Sequence, residues 1–546
     1  METFDYIIVG AGSAGCVLAN RLTADGRHKV LLLEAGGEDR DIWLHIPLGY
    51  GRHFTDPKVN WLYQTEPEPE CHGRRIIAPR GKVLGGSSSI NGLLYVRGQA
   101  EDFDRWRQLG NTGWSHADVL PYFRKAEDQQ RGADEWHDVG GPLAVSDMEP
   151  LPICDAFVAA AEQCGYARNP DFNGATQEGF GYYQLTSRNG RRCSTSVGYL
   201  KPARRRANLK IVSQALATRV LFGGRRAVGV EYLQGGATHT AHAGEIILAG
   251  GAFNTPQLMQ LSGLGPAPLL REHGIPVIAE MPGVGADLQD HYHARMVYRC
   301  TQPVSVNDLL ASKRRGLLAG LRYALTRRGP LAMGAAYAGG FFRTSEAAAT
   351  PDVQCHIMLF SGETIAPPLH PFSGISCPLI VLRPESRGHV RIKSADPRAA
   401  HAIQPRYLVA QKDRDVMVAG LRALRRILGA PALAPFIEAE HDPGPACASD
   451  DDLLDFARRR GSTVYHPTST CRMGDDPTAV VDTRLNVRGV ERLRIVDASI
   501  MPALVSGNTN AAVIMIAEKG ADMILQDAKT GTEAITGSPA FAGDDD

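Results

Sequence analysis

The first 34 residues contain the pattern that most limits the folds open to this chain. An apolar run, Tyr6–Val9, leads directly into G-x-G-x-x-G at residues 10–15. A helical pattern follows, and a second apolar run, Val30–Leu33, ends at Glu34. This order of strand, glycine turn, helix, strand and acidic residue predicts a parallel α/β unit that binds a dinucleotide.

Each residue type in this unit has a physical role. Gly10 permits a tight turn, Gly12 lets a pyrophosphate approach the backbone, and Gly15 lets the helix pack closely on the strand. The helix N-terminus offers free N–H groups and positive charge to phosphate. Glu34 can accept hydrogen bonds from a ribose hydroxyl pair. The pattern does not distinguish FAD from NAD(P).

Composition narrows the class of protein. The 546 residues are enough for several domains, and 59 acidic residues balance 59 basic ones, so nothing favours nucleic acid as a partner. The ten cysteines show neither a C-x-x-C pair nor metal-ligand spacing, which predicts reduced thiols, a cytoplasmic protein and no metal. We expect neither a signal peptide nor a membrane-spanning segment, which needs ~18 apolar residues. Peripheral membrane association stays open.

Two internal stretches suggest further pieces of a binding site. The loop Arg80–Gly92 places two glycines before three serines, which suits close approach to a flat ring or an anion, although a plain surface turn fits equally well. Glu245–Leu248 reads as another buried strand. From about 295 to 460, short strand-like runs between Pro- and Gly-rich loops predict an antiparallel sheet in a second, substrate-shaping domain.

The C-terminal region carries the strongest candidates for chemistry. Pro467 biases His466 toward an extended backbone, so its side chain is expected to project from a loop, where it is either a general base or an ordinary hydrogen-bonded histidine. Asn510 is placed to cap a helix over Ala511–Leu525. The positive end of that helix can also stabilise a nearby anion.

Several motifs occur together and in order. They are DYIIVGAGSAG with LLLEAG, RGKVLGGSSSIN, LAGGAFNTPQLMQLSGLG, MPGVGADLQDH, YHPTSTCRMG, and VDASIMPALVSGNTNAAVIMIAEKGAD. Together they resemble the glucose–methanol–choline (GMC) oxidoreductases from residue 4 to about 525, with the strongest likeness to choline dehydrogenase-like alcohol dehydrogenases. The resemblance implies an α/β fold with a Rossmann-like FAD-binding domain and a second domain built on an antiparallel sheet.

The resemblance also implies a cofactor and its contacts. It favours FAD, with Val220 as a backbone contact to adenine, and non-covalent binding, because Ile90 stands where some members attach the flavin to a histidine. The implied cofactor-binding residues are Gly10, Gly12, Ser13, Ala14, Gly15, Glu34, Ala35, Val83, Gly85, Ser87, Asn91, Gly92, Val220, Ala249, Asp497, Ala498, Asn508 and Thr509.

The implied chemistry is alcohol oxidation by a catalytic pair, His466 and Asn510. His466 takes the hydroxyl proton, Asn510 orients the oxygen, and hydride passes to flavin N5, giving an aldehyde or ketone. The position of the choline-binding carboxylate of choline oxidases falls near Ala338, which favours a neutral alcohol. His356 either faces substrate or packs as an ordinary strand histidine.

The domain organisation and the alternatives complete these predictions. Residues 1–150, 205–295 and 465–527 are assigned to the FAD-binding domain, 151–204 and 296–464 to the substrate domain, and 528–546 to a flexible tail. A dehydrogenase using a quinone-like acceptor is favoured over an oxidase that passes electrons to O2 and makes H2O2. A non-redox lyase or light-driven decarboxylase on this fold, an NAD(P) dehydrogenase, and a homo-oligomer stay open.

Overall fold

Two seven-stranded sheets organise the chain, which a computed structural model describes over residues 2–364 and 368–536. In the first sheet, the strand Thr3–Val9 pairs in parallel with Val30–Leu33 on one side and with Ala237–Leu248 on the other. Across the sheet, six strands run in the order Leu209–Val212, Val30–Leu33, Thr3–Val9, Ala237–Leu248, Arg226–Gln234 and Leu216–Gly223. The seventh strand, Leu493–Ile495, pairs in parallel with Ala237–Leu248. The predicted parallel unit is therefore the centre of this sheet.

Two strands that are close in the sequence lie at opposite edges of the first sheet. Leu209–Val212 is at one edge and Leu216–Gly223 is at the other. Gln214 explains the break between them, because it adopts the left-handed conformation with φ of 55° and its N–H donates to Gly36 O.

The second sheet is antiparallel, as predicted. Six of its strands run in the order Ile437–Asp442, Tyr292–Cys300, Gly374–Val381, Val353–Ile357, Ala338–Phe342 and Gly179–Tyr182. The seventh strand, Ser462–Thr463, also pairs with Tyr292–Cys300. Gly374–Val381 is buried throughout because the helix Gln411–Leu428 packs on this sheet.

Helices and short strand pairs complete the described parts of the chain. The α-helices are Ser13–Leu22, Ile42–His45, Ala100–Gln108, His116–Ala126, Pro152–Gln163, Lys201–Ala203, Gly251–Leu261, Ala267–Glu272, Val306–Ala311, Lys313–Thr326, Gln411–Leu428, Asp450–Arg460 and Asn510–Thr536. The short strand pairs are Tyr63–Gln64 with Ile77–Ala78, Leu94–Tyr95 with Gln184–Leu185, Glu127–Gln129 with Leu143–Val145, Ser187–Arg188 with Arg191–Arg192, Leu264–Gly265 with Ala279–Glu280, and His389–Arg391 with Ala402–Gln404.

The final helix returns the end of the chain to its beginning. Its apolar face is buried, and the helix packs against Ser13–Leu22. A bidentate pair locks the two helices, since Arg21 Nη2 lies 2.6 Å and Arg21 Nε 2.8 Å from the carboxylate of Glu518, which is fully buried. The helix runs to Thr536, so the first part of the expected tail is helical, while residues 537–546 lie outside the described residues.

Candidate active site

A cavity of about 620 Å³ is lined by residues from both sheets. Val9, Leu33 and Leu248 end three strands of the first sheet there, and the second sheet contributes His356 and Ile380. Ligands of parallel sheets bind at the carboxyl ends of the strands, and small-molecule sites span ~300–1,000 Å³. The position and volume of this cavity both fit a nucleotide-type ligand with a substrate beside it.

The first glycine turn borders the cavity. A Cβ on Gly15 would lie 1.8 Å from Gly10 O, so only glycine permits this close packing, whereas at Gly12 the nearest atom would be 3.9 Å away. Glu34 Oε2 accepts from Ala11 N at 2.8 Å, and this bond braces the turn. Burial raises the pKa of Glu34 to about 7, although its bonds from backbone N–H groups oppose the rise.

The second glycine loop lies directly on the first. A Cβ on Gly86 would lie 2.6 Å from Gly12 Cα, so the two backbones touch. Arg192, a buried residue that the sequence did not single out, donates from Nη1 to Asn91 Oδ1 at 2.6 Å and to Ser88 O at 3.1 Å. A buried arginine thus fixes the loop predicted to meet the flavin; its own sequence surroundings carry no motif.

His466 projects into the cavity from its loop. Its Nε2 lies 3.2 Å from Nδ2 of Asn508, and its backbone N–H donates to Asp290 Oδ1 at 2.8 Å. Burial lowers the pKa of His466 well below the usual value, and the neighbouring His291, Arg80 and His356 lower it further. The imidazole is therefore neutral near pH 7.

A chain of contacts fixes the tautomer of His466. Leu382 O can only accept, so the hydrogen of His291 lies on Nε2, 3.0 Å from that oxygen. Burial lowers the pKa of His291 to about 4, so its Nδ1 has a lone pair. Nδ1 of His466, 2.9 Å away, must donate to it. The other nitrogen of His466, Nε2, is thereby left as a hydrogen-bond acceptor facing Asn508.

Asn510, the expected partner of His466, makes its side-chain contact elsewhere in the structure. Asn510 is the first residue of the final helix rather than the residue before it, and its Oδ1 accepts from Ser13 Oγ at 2.7 Å. It therefore joins the last helix to the first glycine turn. Asn508, which sequence reasoning grouped with the cofactor segment, lies next to His466 instead. Two asparagines only two residues apart could not be told apart by their sequence context.

Most of the other predicted site residues line the cavity. These are Gly10, Gly12, Ser13, Ala14, Glu34, Ala35, Ser87, Asn91, Gly92, Ala249, His356, Asp497, Ala498, Asn508, Thr509 and Asn510. Gly15, Val83, Gly85 and Val220 are not among the lining residues. The N–H of Val220 donates to Ser262 Oγ at 2.8 Å, and the same strand meets the cavity at Leu216 and Ala217.

Asp497 has a supporting role in the cavity wall. Its Oδ2 accepts from Gly251 N at 2.8 Å and from Thr255 Oγ1 at 2.6 Å, and its Oδ1 accepts from Ser499 N and Oγ. Burial raises its pKa, and these hydrogen bonds counter the rise. The carboxylate thus joins the helix Gly251–Leu261 to the segment that precedes the final helix.

The second sheet adds polar atoms that the sequence did not assign to the site. Among the described residues, Nδ1 of His293, Nε2 of His356 and Nη1 of Arg295 are buried without a hydrogen-bond partner, and all three residues line the cavity. Burial lowers the pKa of both histidines to about 3. The second sheet therefore offers neutral imidazoles and one arginine to a bound molecule.

Histidine ring nitrogens and carboxylates are the potential metal ligands near this cavity. Both ring nitrogens of His291 are engaged, one by Leu382 O and the other by His466. A different trio, Asp41, His53 and Asp56, brings one potential ligand atom each to within 4.8 Å of the others. Asp41 already accepts from Trp43 N as a helix cap.

Comparisons with known proteins agree on one family. The family models of the GMC oxidoreductases match residues 4–293 and 384–517. The chain is 43% identical over 528 residues to the alcohol dehydrogenase (acceptor) of Pseudomonas putida, covering 96% of each chain. It is 44% identical to the oxygen-dependent choline dehydrogenase of Yersinia pseudotuberculosis, covering 95% of this chain and 93% of that protein. The crystal structure of pyridoxine 4-oxidase from Mesorbium loti superposes with a TM-score of 0.87 at 32% identity, covering 96% of this chain and 99% of that one.

Proposed function

Because the chain belongs to the GMC oxidoreductases, we propose that it is an FAD-dependent dehydrogenase that oxidises a neutral alcohol to an aldehyde or ketone. The observation that carries the proposal is the contact between His466 Nε2 and Asn508 Nδ2, inside the cavity that also holds both glycine loops. A base and a hydrogen-bond donor that share one opening are the groups that an alcohol oxygen requires.

The residues of this cavity fit FAD. The open side of Gly12 and the N-terminus of the helix Ser13–Leu22 suit a pyrophosphate, and Glu34 lies where a ribose is expected. Ser87, Asn91 and Gly92 would meet the ring system. When bound, the flavin supplies the hydride acceptor. Ile90 beside this loop offers no atom for a covalent bond, which supports non-covalent binding.

The proton transfer follows from the tautomer of His466. An alcohol hydroxyl beside the two side chains would replace Asn508 as the donor to the lone pair of His466 Nε2, and its oxygen would accept from Asn508 Nδ2. His291 can accept from Nδ1 of His466 in both protonation states, which holds the ring in place as it gains a proton. The final helix begins at Asn510 on the cavity wall, and its positive end favours negative charge there.

Charge in the cavity supports a neutral substrate. Of the described residues that line it, three are acidic, and each already has partners. Glu34 and Asp497 accept from backbone N–H groups, and Glu363 pairs with Arg460. Arg295 and Arg80 add positive charge. A quaternary ammonium group would therefore meet cations and no free carboxylate.

The acceptor is proposed from the relatives. The Pseudomonas putida relative is named for an unspecified acceptor and the Yersinia pseudotuberculosis relative for oxygen. We favour a quinone-like acceptor for this chain, with O2 as the alternative. Rates measured with a soluble quinone and with oxygen alone would separate the two.

The decisive experiment is anaerobic titration of the purified holoenzyme with a panel of neutral alcohols. We expect the absorbance band of the oxidised flavin to disappear with at least one alcohol. His466→Gln should keep its flavin but lose roughly 10²–10⁴-fold in the reduction rate. Flavin that no alcohol reduces would favour a non-redox role, and a flavin-free protein would contradict FAD binding. Flavin retained on the denatured chain would contradict non-covalent binding.

A further inference from the structure

The helix Lys313–Thr326 presents a row of leucines to solvent. Leu317, Leu318, Leu321 and Leu325 are 75%, 54%, 54% and 76% exposed. At about 100° per residue, these four side chains fall within an arc of about 100°. The preceding short helix, Val306–Ala311, adds Leu310, which is 67% exposed. Single exposed leucines are ordinary on protein surfaces, but a continuous row of them indicates an interaction face.

The opposite face of this helix is already anchored to the protein. Ala319 and Tyr323 are buried, and Tyr323 Oη donates to Gly190 O at 3.0 Å. Arg322 adds an ion pair with Glu149 at 3.1 Å. The leucine row therefore points outward from a fixed helix and cannot be buried by rotating the helix about its axis.

Positive charge surrounds the leucine row. Residues 312–328 contain Lys313, Arg314, Arg315, Arg322, Arg327 and Arg328 and no acidic residue, in a chain whose net charge is zero. Among the described residues, none of the salt bridges involves any of these cations except Arg322. Arg327 stacks on the ring of Tyr323. The free cations therefore lie at both ends of the leucine row.

We propose that this helix docks the protein on an anionic lipid bilayer. The leucines would enter the boundary between headgroups and acyl chains, while the surrounding cations meet lipid phosphates. No helix in the described parts of the chain is long and apolar enough to cross a membrane, so the contact would lie in the interface. The positive charge of this helix favours an anionic lipid surface over a second copy of this chain as the partner, because two such helices would bring like charges together. The proposal does not depend on the oxidation reaction.

Vesicle co-sedimentation of the full-length holoenzyme tests this proposal. Vesicles of phosphatidylcholine with phosphatidylglycerol should bind the protein, and pure phosphatidylcholine should bind it far less. Replacing Leu317, Leu321 and Leu325 by Gln should lower the partition coefficient by on the order of 100-fold or more. Replacing Lys313, Arg314 and Arg315 by Gln should lower it by roughly 100-fold.

Matched control variants remove the same kinds of side chain from other parts of the protein surface. Gln at Ile42, Leu109 and Val139 removes exposed apolar side chains outside the helix, and Gln at Lys201, Arg205 and Arg225 removes three exposed cations. Both controls should bind vesicles as the wild type does. Leu317→Trp should show a blue-shifted emission that brominated lipids quench, which reports insertion even if a triple variant folds poorly.

Three results would overturn the proposal. The first is a wild-type protein that does not bind anionic vesicles, and the second is a leucine variant that binds them as the wild type does. The third is self-association of the wild type without lipid that the leucine variant abolishes, since the face would then be an interface between copies of the chain.

Discussion

Nδ1 of His291 lies 2.9 Å from Nδ1 of His466, and the opposite nitrogen of His291 contacts Leu382 O at 3.0 Å. A backbone carbonyl thus decides, through one intervening imidazole, which nitrogen of His466 is free to accept a proton. Leu382 directly follows the strand Gly374–Val381, so the end of this strand sets the tautomer of the proposed base, even though Leu382 itself does not line the cavity.

Replacing His291 should weaken His466 as a base while the flavin stays bound. His291→Leu leaves His466 Nδ1 without an acceptor, so both tautomers form, and we expect kcat to fall on the order of 10- to 100-fold. His291→Gln offers an amide oxygen to the same N–H and should recover part of the loss. Rapid-mixing measurement of flavin reduction in both variants, with flavin content as the reference, checks this. Equal losses in the two variants would mean that His291 acts by packing alone.

The two asparagines should behave differently. Asn508→Ala removes the donor beside His466 and should lower the rate of flavin reduction by roughly 10²-fold. Asn510→Ala removes the bond from Ser13 Oγ, so we expect reduced thermal stability or flavin retention and a much smaller change in rate. Steady-state kinetics and thermal unfolding of the pair separate the roles. A larger rate loss in the Asn510 variant would restore the original expectation from the sequence.

Substrate charge should matter more than substrate shape. Choline and its uncharged carbon isostere, 3,3-dimethylbutan-1-ol, differ mainly in charge, and we expect kcat/KM for choline to be on the order of 100-fold lower. Arg295→Met should raise kcat/KM for choline and so bring the kcat/KM values of the two alcohols closer together. Arg299→Met, on the same strand but outside the cavity lining, is the control and should leave the ratio unchanged. Choline oxidised as well as its isostere by the wild type would refute a preference for neutral alcohols.

A buried charge cluster away from the cavity should make stability depend on pH. Burial alone would lower the pKa of His137, but hydrogen bonds with Asp171 and Glu127 outweigh it and raise the pKa to about 9. The unfolded value is about 6.5. The stabilisation is therefore complete below about pH 6.5 and is lost as the pH rises through about 9, with a size of roughly 2–3 kcal/mol at most.

Thermal unfolding at several pH values between 6 and 10 checks this expectation. The wild type should lose Tm across that window, and His137→Gln should lose less because its side chain does not titrate. Parallel curves for the two proteins would show that other groups cause the pH dependence.

Local sequence patterns predicted the nucleotide-binding half of the molecule well. The run Tyr6–Val9, the glycine turn, the helix and the run Val30–Leu33 are neighbours in the chain, so propensity and periodicity within about thirty residues suffice to specify them. The antiparallel sheet and the final helix were predicted for the same reason. Motifs in order along the whole chain then identified the family.

The active site required contacts between segments that are far apart in the sequence. His291 and His466 are separated by 175 residues, and the choice between Asn508 and Asn510 depends on where the final helix begins against Ser13. Arg192 and Arg295 acquire their roles only through burial beside distant backbone. The sequence by itself determined the fold class and the family, and it singled out His466 as the proposed base. Only tertiary packing decided which residue contacts His466, which tautomer His466 adopts and what charge surrounds it. These properties follow from distances that no local pattern encodes.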